Sequence, residues 1–137
     1  MKPTERLTYS GGTVTKKILI VEDEEDIMIL LSAIFGDLED YEVLCARDGE
    51  EALRVARVDN PDIILLDILL PKLNGYKVCK LIKSDLAMSH TKVLMLSGMT
   101  QKSELLKAQE AGADGYIAKP FSSTALVEKV EELLRRN

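Results

Sequence analysis

The chain has 137 residues, 46% hydrophobic and 30% charged, and its 18 basic and 23 acidic side chains leave a net charge of −5. That size suits one domain with a real core, and the negative balance disfavours non-specific binding to nucleic acid. No apolar stretch approaches the ~18 residues of a membrane span, and residues 1–17 contain no apolar signal region, so a cytoplasmic protein without a membrane partner is expected.

Residues 1–15, rich in Thr, Ser and Gly, have no periodicity and are expected to form a mobile arm before a domain over 16–137. The first strand is expected near 17–22: Ile18-Leu19-Ile20-Val21 runs straight into Glu22-Asp23-Glu24. Ile27, Leu30, Leu31, Ile34 and Leu38 then recur at helical spacing, with Gly36 near the helix end. A second strand is expected near 41–46. Asp48 followed by Glu51 is a capping-box pattern for a helix through Arg57, which Asn60-Pro61 breaks. The third strand, near 62–67, reads Ile63-Ile64-Leu65-Leu66 and stops on Asp67, with Leu70-Pro71 and Asn74-Gly75 close behind.

Val78, Cys79, Leu81 and Ile82 mark the third helix, and a fourth strand over 92–97 ends on Ser97. Leu105, Leu106 and Ala108 mark a fourth helix ending at Gly112, and the fifth strand, 114–118, leads into Lys119-Pro120-Phe121. Ser122 caps the fifth helix, with the stripe Leu126, Val127, Val130, Leu133 and Leu134. Short apolar runs bounded by turn residues are strands buried on both faces. Their strict alternation with helices implies right-handed crossovers and a parallel sheet covered on both sides.

In such a sheet ligands bind beyond the carboxyl ends of the strands. Glu22, Asp23 and Asp67 end two strands and Lys119 ends another, a set suited to a hard cation and a phosphoryl group. Oxygen ligands suit Mg²⁺, which keeps several waters. Without a metal the acids repel one another and raise at least one pKa. A carboxylate can attack phosphorus to give an acyl phosphate, while Lys119 and the Ser97 hydroxyl hold phosphoryl oxygens. Any one acid after a strand is more often a helix cap or a solvated loop residue, and Glu24, Glu25 and Asp26 are assigned to the helix start. Cys45 and Cys79 are expected as small core hydrophobes, and His90 as a surface residue.

Four segments occur in order and correctly spaced: ILIVEDEED at 18–26, IILLDILLPKLNG at 63–75, VLMLSG at 93–98 and GADGYIAKPF at 112–121. With them the chain resembles, from Lys16 to Arg136, the receiver domains of bacterial and archaeal two-component response regulators. The resemblance implies a doubly wound five-stranded parallel sheet of order 2-1-3-4-5 flanked by five helices. It makes Asp67 the phosphoacceptor and Asp23 a direct ligand of Mg²⁺ (or Mn²⁺), with Glu22 acting largely through metal-bound water and the Leu69 backbone carbonyl as a further ligand. Ser97 takes the hydroxyl switch position, Lys119 the phosphate-binding position and Tyr116 the aromatic switch position. The Lys119–Pro120 bond is expected to be cis, and Leu69 and Met99 take the positions that set the rate of self-dephosphorylation. Glu in place of Asp at position 22 is the one mild departure.

The implied donor is a histidine kinase or histidine phosphotransfer protein, since no Gly-rich Walker loop is present. The implied output surface is the fourth helix, fifth strand and fifth helix, roughly residues 102–136, which would meet a downstream protein, an output domain or a second copy. Beyond its own phosphoryl transfer and self-dephosphorylation no enzymatic activity is expected. A haloacid-dehalogenase-like phosphatase fits poorly, because Asp67 is followed by Ile68 and Leu69 rather than by a second Asp two positions on. A flavodoxin fits poorly because the loop after the first strand is acidic. The chain ends with its fifth helix, so either a stand-alone receiver or one excised from a DNA-binding regulator or hybrid kinase is expected.

Overall fold

The computed structural model describes residues 15–98 and 102–136. Five strands alternate with five helices: β1 (Lys16–Val21), α1 (Glu25–Gly36), β2 (Tyr41–Ala46), α2 (Gly49–Asp59), β3 (Ile63–Asp67), α3 (Gly75–Ser84), β4 (Lys92–Ser97), α4 (Lys102–Glu110), β5 (Gly115–Ala118) and α5 (Ser123–Arg135). All strand pairs are parallel and the order is β2-β1-β3-β4-β5. The expected arm over residues 1–15 lies, except for Thr15, outside the described residues.

The period-2 geometry of a strand sorts its apolar side chains into two cores. Leu19, Val21, Ile64, Leu66, Val93 and Met95 meet α2 and α3 on one face, joined by Ala108 of α4. Ile18, Ile20, Ile63, Leu65, Leu94 and Leu96 meet Met28, Leu31 and Phe35 of α1 and Leu126, Val130 and Leu133 of α5 on the other. The central strand β3 is therefore buried at every position. The chain winds one way through β2 and the other way through β3, β4 and β5, which opens a crevice at the carboxyl ends of β1 and β3.

Helix starts follow the caps. Asp48 accepts from the Glu51 N–H at 2.8 Å, Asn74 from Lys77 at 3.0 Å and Ser122 from Ala125 at 3.0 Å. Glu51 reaches back to the Arg47 N–H at 2.7 Å, one residue earlier than in a simple capping box. Asn60 ends α2 in the left-handed region with φ 48°. His90 is exposed and Cys79 is buried.

Three expectations need correction. Cys45 is exposed, because β2 is the edge strand and only part of its surface is covered. In α1 the buried positions are Met28, Leu31 and Phe35, while Leu30 is 57% exposed and Ile34 and Leu38 are half-buried. That helix is apolar nearly all round, so spacing alone does not choose its inner face. In α4 only Ala108 is buried, and Leu105 and Leu106 stand 38% and 49% exposed.

Two glycines separate packing from propensity. A Cβ on Gly75 would lie 2.6 Å from the Asp67 carbonyl oxygen and 2.8 Å from the Ile68 Cα, whereas one on Gly36 would meet nothing within 4 Å. Gly75→Ala should cost ~2–4 kcal/mol through forced displacement of the β3–α3 backbone. Gly36→Ala should be neutral or gain up to ~1 kcal/mol from helix propensity. Urea denaturation of both variants checks the contrast.

Candidate functional site

Register brings the site together. Val21 pairs with Leu66, so Glu22, next along β1, stands level with Asp67. Asp67 pairs with Leu96, which leaves Ser97 one step further along β4, opposite Ala118. Lys119 follows Ala118, and its N–H donates to the Ser97 carbonyl at 2.8 Å, which fixes where its side chain departs. The Lys119–Pro120 peptide bond is cis.

From that anchor Lys119 Nζ reaches Asp67 Oδ2 at 2.8 Å and stands 4.0 Å from Glu22 Oε1. Asp67 Oδ1 accepts the Leu69 N–H at 3.0 Å. Both oxygens of the carboxylate are thus held, one by a cation and one by the backbone. The side chains of Glu22, Asp67 and Ser97 are buried, while Asp23 and Leu69 are exposed. The loop after Asp67 turns through Lys72 at φ 69°, and the Gly75 N–H closes it onto the Ile68 carbonyl at 2.9 Å. Sequence reasoning saw Asn74-Gly75 only as a turn. It missed that Gly75 lets the helix start press directly on the Asp67 backbone; the signal was a glycine at the first helical position, where a turn does not require one.

Glu22 is the anomalous group. Oε2 accepts the Glu24 N–H at 3.1 Å, but Oε1 is buried with no hydrogen-bond partner among the described residues. A buried carboxylate oxygen without a hydrogen bond is costly, and the Lys119 ammonium 4.0 Å away offsets only part of that. Burial pushes the Glu22 carboxyl up to about 7, Asp67 beside it adds to the rise, and the Glu24 N–H and Lys119 offset only part of it. Desolvation, more than the repulsion between acids, is therefore the main cause. For Lys119 burial acts downwards, and the hydrogen bond and charge of Asp67, with the charge of Glu22, outweigh it and raise the pKa.

The donors are all oxygens, as a hard cation requires, and the unpartnered Glu22 oxygen is an acceptor that such a cation and its waters would satisfy. No group of three or more His, Cys, Asp or Glu side chains among the described residues is gathered closely enough to enclose a metal. Tyr116 lies on β5 beside a hollow of about 250 Å³ that it lines with Leu105, Ala108 and Gly115. Met99, the other expected site residue, lies outside the described residues.

The raised Glu22 carboxyl gives a signed pH dependence. Its folded pKa of about 7 exceeds the ordinary 4.5, so its stabilising contribution is complete below the lower value and is lost as pH rises through the higher one. Glu22→Gln imitates the protonated side chain. Without divalent cations it should be more stable than the parent by ~1–3 kcal/mol at about pH 8 and equal to it at about pH 4.5. Urea midpoints at the two pH values measure this, and equal midpoints at both would contradict it.

Comparison with known proteins shows the family. The response regulator receiver domain family matches residues 18–131. The alkaline phosphatase synthesis transcriptional regulatory protein PhoP of Bacillus subtilis is 41% identical over 124 residues, covering 90% of this chain and 50% of that protein. The chain thus spans about half the length of the curated relatives it matches. The chemotaxis response regulator CheY4 of Vibrio cholerae superposes with a TM-score of 0.82 at 29% identity, covering 88% of this chain and 99% of that one. The receiver domain of the sensor histidine kinase PA1611 of Pseudomonas aeruginosa, with a magnesium ion in its active-site cleft, superposes at 0.82 and 27% identity over 90% of this chain and 100% of its own. No helix among the described residues is long and apolar enough to cross a membrane. The chain belongs to the response regulator receiver domains of two-component signal transduction.

Proposed function

We propose that this receiver accepts a phosphoryl group on Asp67 from a histidine of a partner kinase or phosphotransfer protein, and passes the change to its α4–β5–α5 face. The observation that carries the reading is the 2.8 Å contact of Lys119 with Asp67 beside the unpartnered oxygen of Glu22. A nucleophile, a cation and a second acid thereby meet from three strand ends. In the transfer an Asp67 oxygen bonds to phosphorus as the donor's phosphorus–nitrogen bond breaks. The imidazole leaves with the electron pair, and an acyl phosphate results.

Asp23, Asp67 and the Leu69 carbonyl are the residues to hold Mg²⁺ (or Mn²⁺), with Glu22 as an outer partner. Bound there, the ion neutralises charge on the transferred group. The magnesium in the PA1611 receiver supports the same ion here. Lys119 moves its hydrogen bond from Asp67 to a phosphoryl oxygen. The Ser97 hydroxyl takes another, and Tyr116 turns towards the space that Ser97 leaves. The hollow beside Tyr116 supports a side chain with room to move. The roughly half coverage of transcriptional regulators such as PhoP supports an output domain, or a second copy, as the recipient of the change. The chain itself neither binds nucleic acid nor acts on other substrates in this reading, and it works in the cytoplasm, where kinases are charged from ATP.

Acetyl phosphate with Mg²⁺ should label Asp67 alone, and chelation should abolish labelling. Asp67→Asn should lose the label as read by intact mass and peptide mapping. Undiminished labelling of that variant would overturn the assignment.

Leu69, 64% exposed, offers no hydrogen bond from its side chain to orient a water in line with the phosphorus, and neither does Met99. The phosphorylated form should therefore outlast that of a Leu69→Asn, Met99→Glu double variant, followed by loss of phosphate in excess Mg²⁺. Equal lifetimes would remove the apolar pair as the control of water access.

A further inference from the structure

Helix α4 is the least anchored of the five. It buries only Ala108, whereas α2 buries Gly49, Ala52, Leu53 and Ala56, and α5 buries Leu126, Val130 and Leu133. An open groove of about 340 Å³, lined by Tyr76, Lys80, Lys107 and Ala111, separates it from α3. With so little apolar area holding α4, polar contacts decide where its first turn lies.

One contact stands out there. The Tyr76 hydroxyl, from the first turn of α3, donates to Glu104 Oε1 at 2.6 Å and lies 3.3 Å from the Glu104 carbonyl oxygen. Glu104 sits in the first turn of α4 and is only partly exposed. Lys107, one turn on, pairs with Glu104 at 3.6 Å and lies 5.9 Å from the Tyr76 ring centre. A hydroxyl donating to a carboxylate at this distance is a charge-assisted bond, about twice as strong as a neutral one.

At its other end Tyr76 is joined to Asp67 by a stiff path. It follows Gly75, where a Cβ would lie 2.6 Å from the Asp67 carbonyl oxygen and 2.8 Å from the Ile68 Cα, so that no side chain fits against the Asp67 backbone. A displacement of the Asp67 backbone therefore reaches Tyr76 through a single peptide unit. In the arrangement described, Asp67 is paired with Lys119, the state of the free carboxylate.

We propose that the Tyr76–Glu104 hydrogen bond is a latch that holds the first turn of α4 in the arrangement belonging to unmodified Asp67, and so sets the resting bias of the receiver. This rests on the phosphoacceptor reading above and adds its regulation. Tyr76 acts as a positioning residue, because it touches neither Asp67 nor a phosphoryl oxygen. By linkage, weakening a contact made only in the resting arrangement raises the affinity of the site for whatever stabilises the other.

The test uses the whole chain and the conservative variant Tyr76→Phe, which keeps the ring and removes the donor. Without phosphodonor, amide hydrogen exchange over Lys102–Glu110 should be ~10-fold faster in Tyr76→Phe, with β1 and β3 unchanged. Unchanged protection of α4 would overturn the latch whether or not Asp67 is the acceptor. Beryllofluoride with Mg²⁺, a mimic of the phosphoryl group, should bind Tyr76→Phe ~3–10-fold more tightly than the parent. Equal or weaker binding would overturn the coupling while leaving the acceptor reading intact. Failure of beryllofluoride to bind the parent would instead count against the acceptor reading and against regulation of that site by the latch. A merely structural Tyr76 would lower the affinity, so the sign of the change separates the two roles.

Discussion

Everything at the carboxyl edge of this sheet depends on a lysine spanning a strand. Asp67 ends β3 and Lys119 follows β5, with β4 between them. Neighbouring strands lie ~4.8 Å apart, so the two backbones are ~10 Å apart, close to the limit for an aspartate and an extended lysine. The 2.8 Å contact is made because Lys119 is pinned through its own N–H to the Ser97 carbonyl and its side chain crosses above β4. Ser97, which ends β4, is buried and supplies the carbonyl that anchors Lys119.

The edge is costly to fold. A buried glutamate with an unpartnered oxygen and an ion pair with little solvent access are both poor sources of stability compared with apolar packing. The rest of the molecule offsets that cost with two separate cores, one on each face of a sheet whose central strand is wholly buried. The strain is confined to the end where ligands meet a doubly wound sheet. A group that binds Glu22 and Asp67 would remove the cause of the strain, so ligand affinity and fold stability are linked through the same unsatisfied oxygen.

The fold was legible because β3 and β4 are continuous apolar runs that stop on a polar residue, and because Asp48 and Ser122 announce their helices. Glu22, Asp67 and Lys119 were legible as charges at strand ends, and the register that places Glu22 beside Asp67 follows from aligning those ends. What failed depended on neighbours. Cys45 reads as core until β2 is known to be an edge strand, and the inner face of α1 is ambiguous because its apolar residues surround the helix. The role of Gly75 was hidden, since a glycine after asparagine signals a turn and its close approach to Asp67 exists only in three dimensions. Tyr76 and Glu104, 28 residues apart, carry no local pattern that joins them.

The unequal anchoring of the helices has an energetic meaning. Charge-assisted hydrogen bonds gained or lost at a partly dry site are worth ~1.5–3 kcal/mol each. A helix fixed by three large buried side chains, as α5 is, resists changes of that size, because releasing even one costs about as much. Helix α4, fixed by Ala108 and a few polar contacts, is held by an energy of the same order as the signal. Only where the two are comparable can a change at Asp67 shift a population without unfolding the domain. Exposed Leu105 and Leu106 lie on that loosely held helix, so any displacement of it would alter an exposed apolar surface. In the proposed switch, the weak packing of α4 is what would let a change at Asp67 be transmitted, while the strongly packed faces around it would hold the rest of the fold.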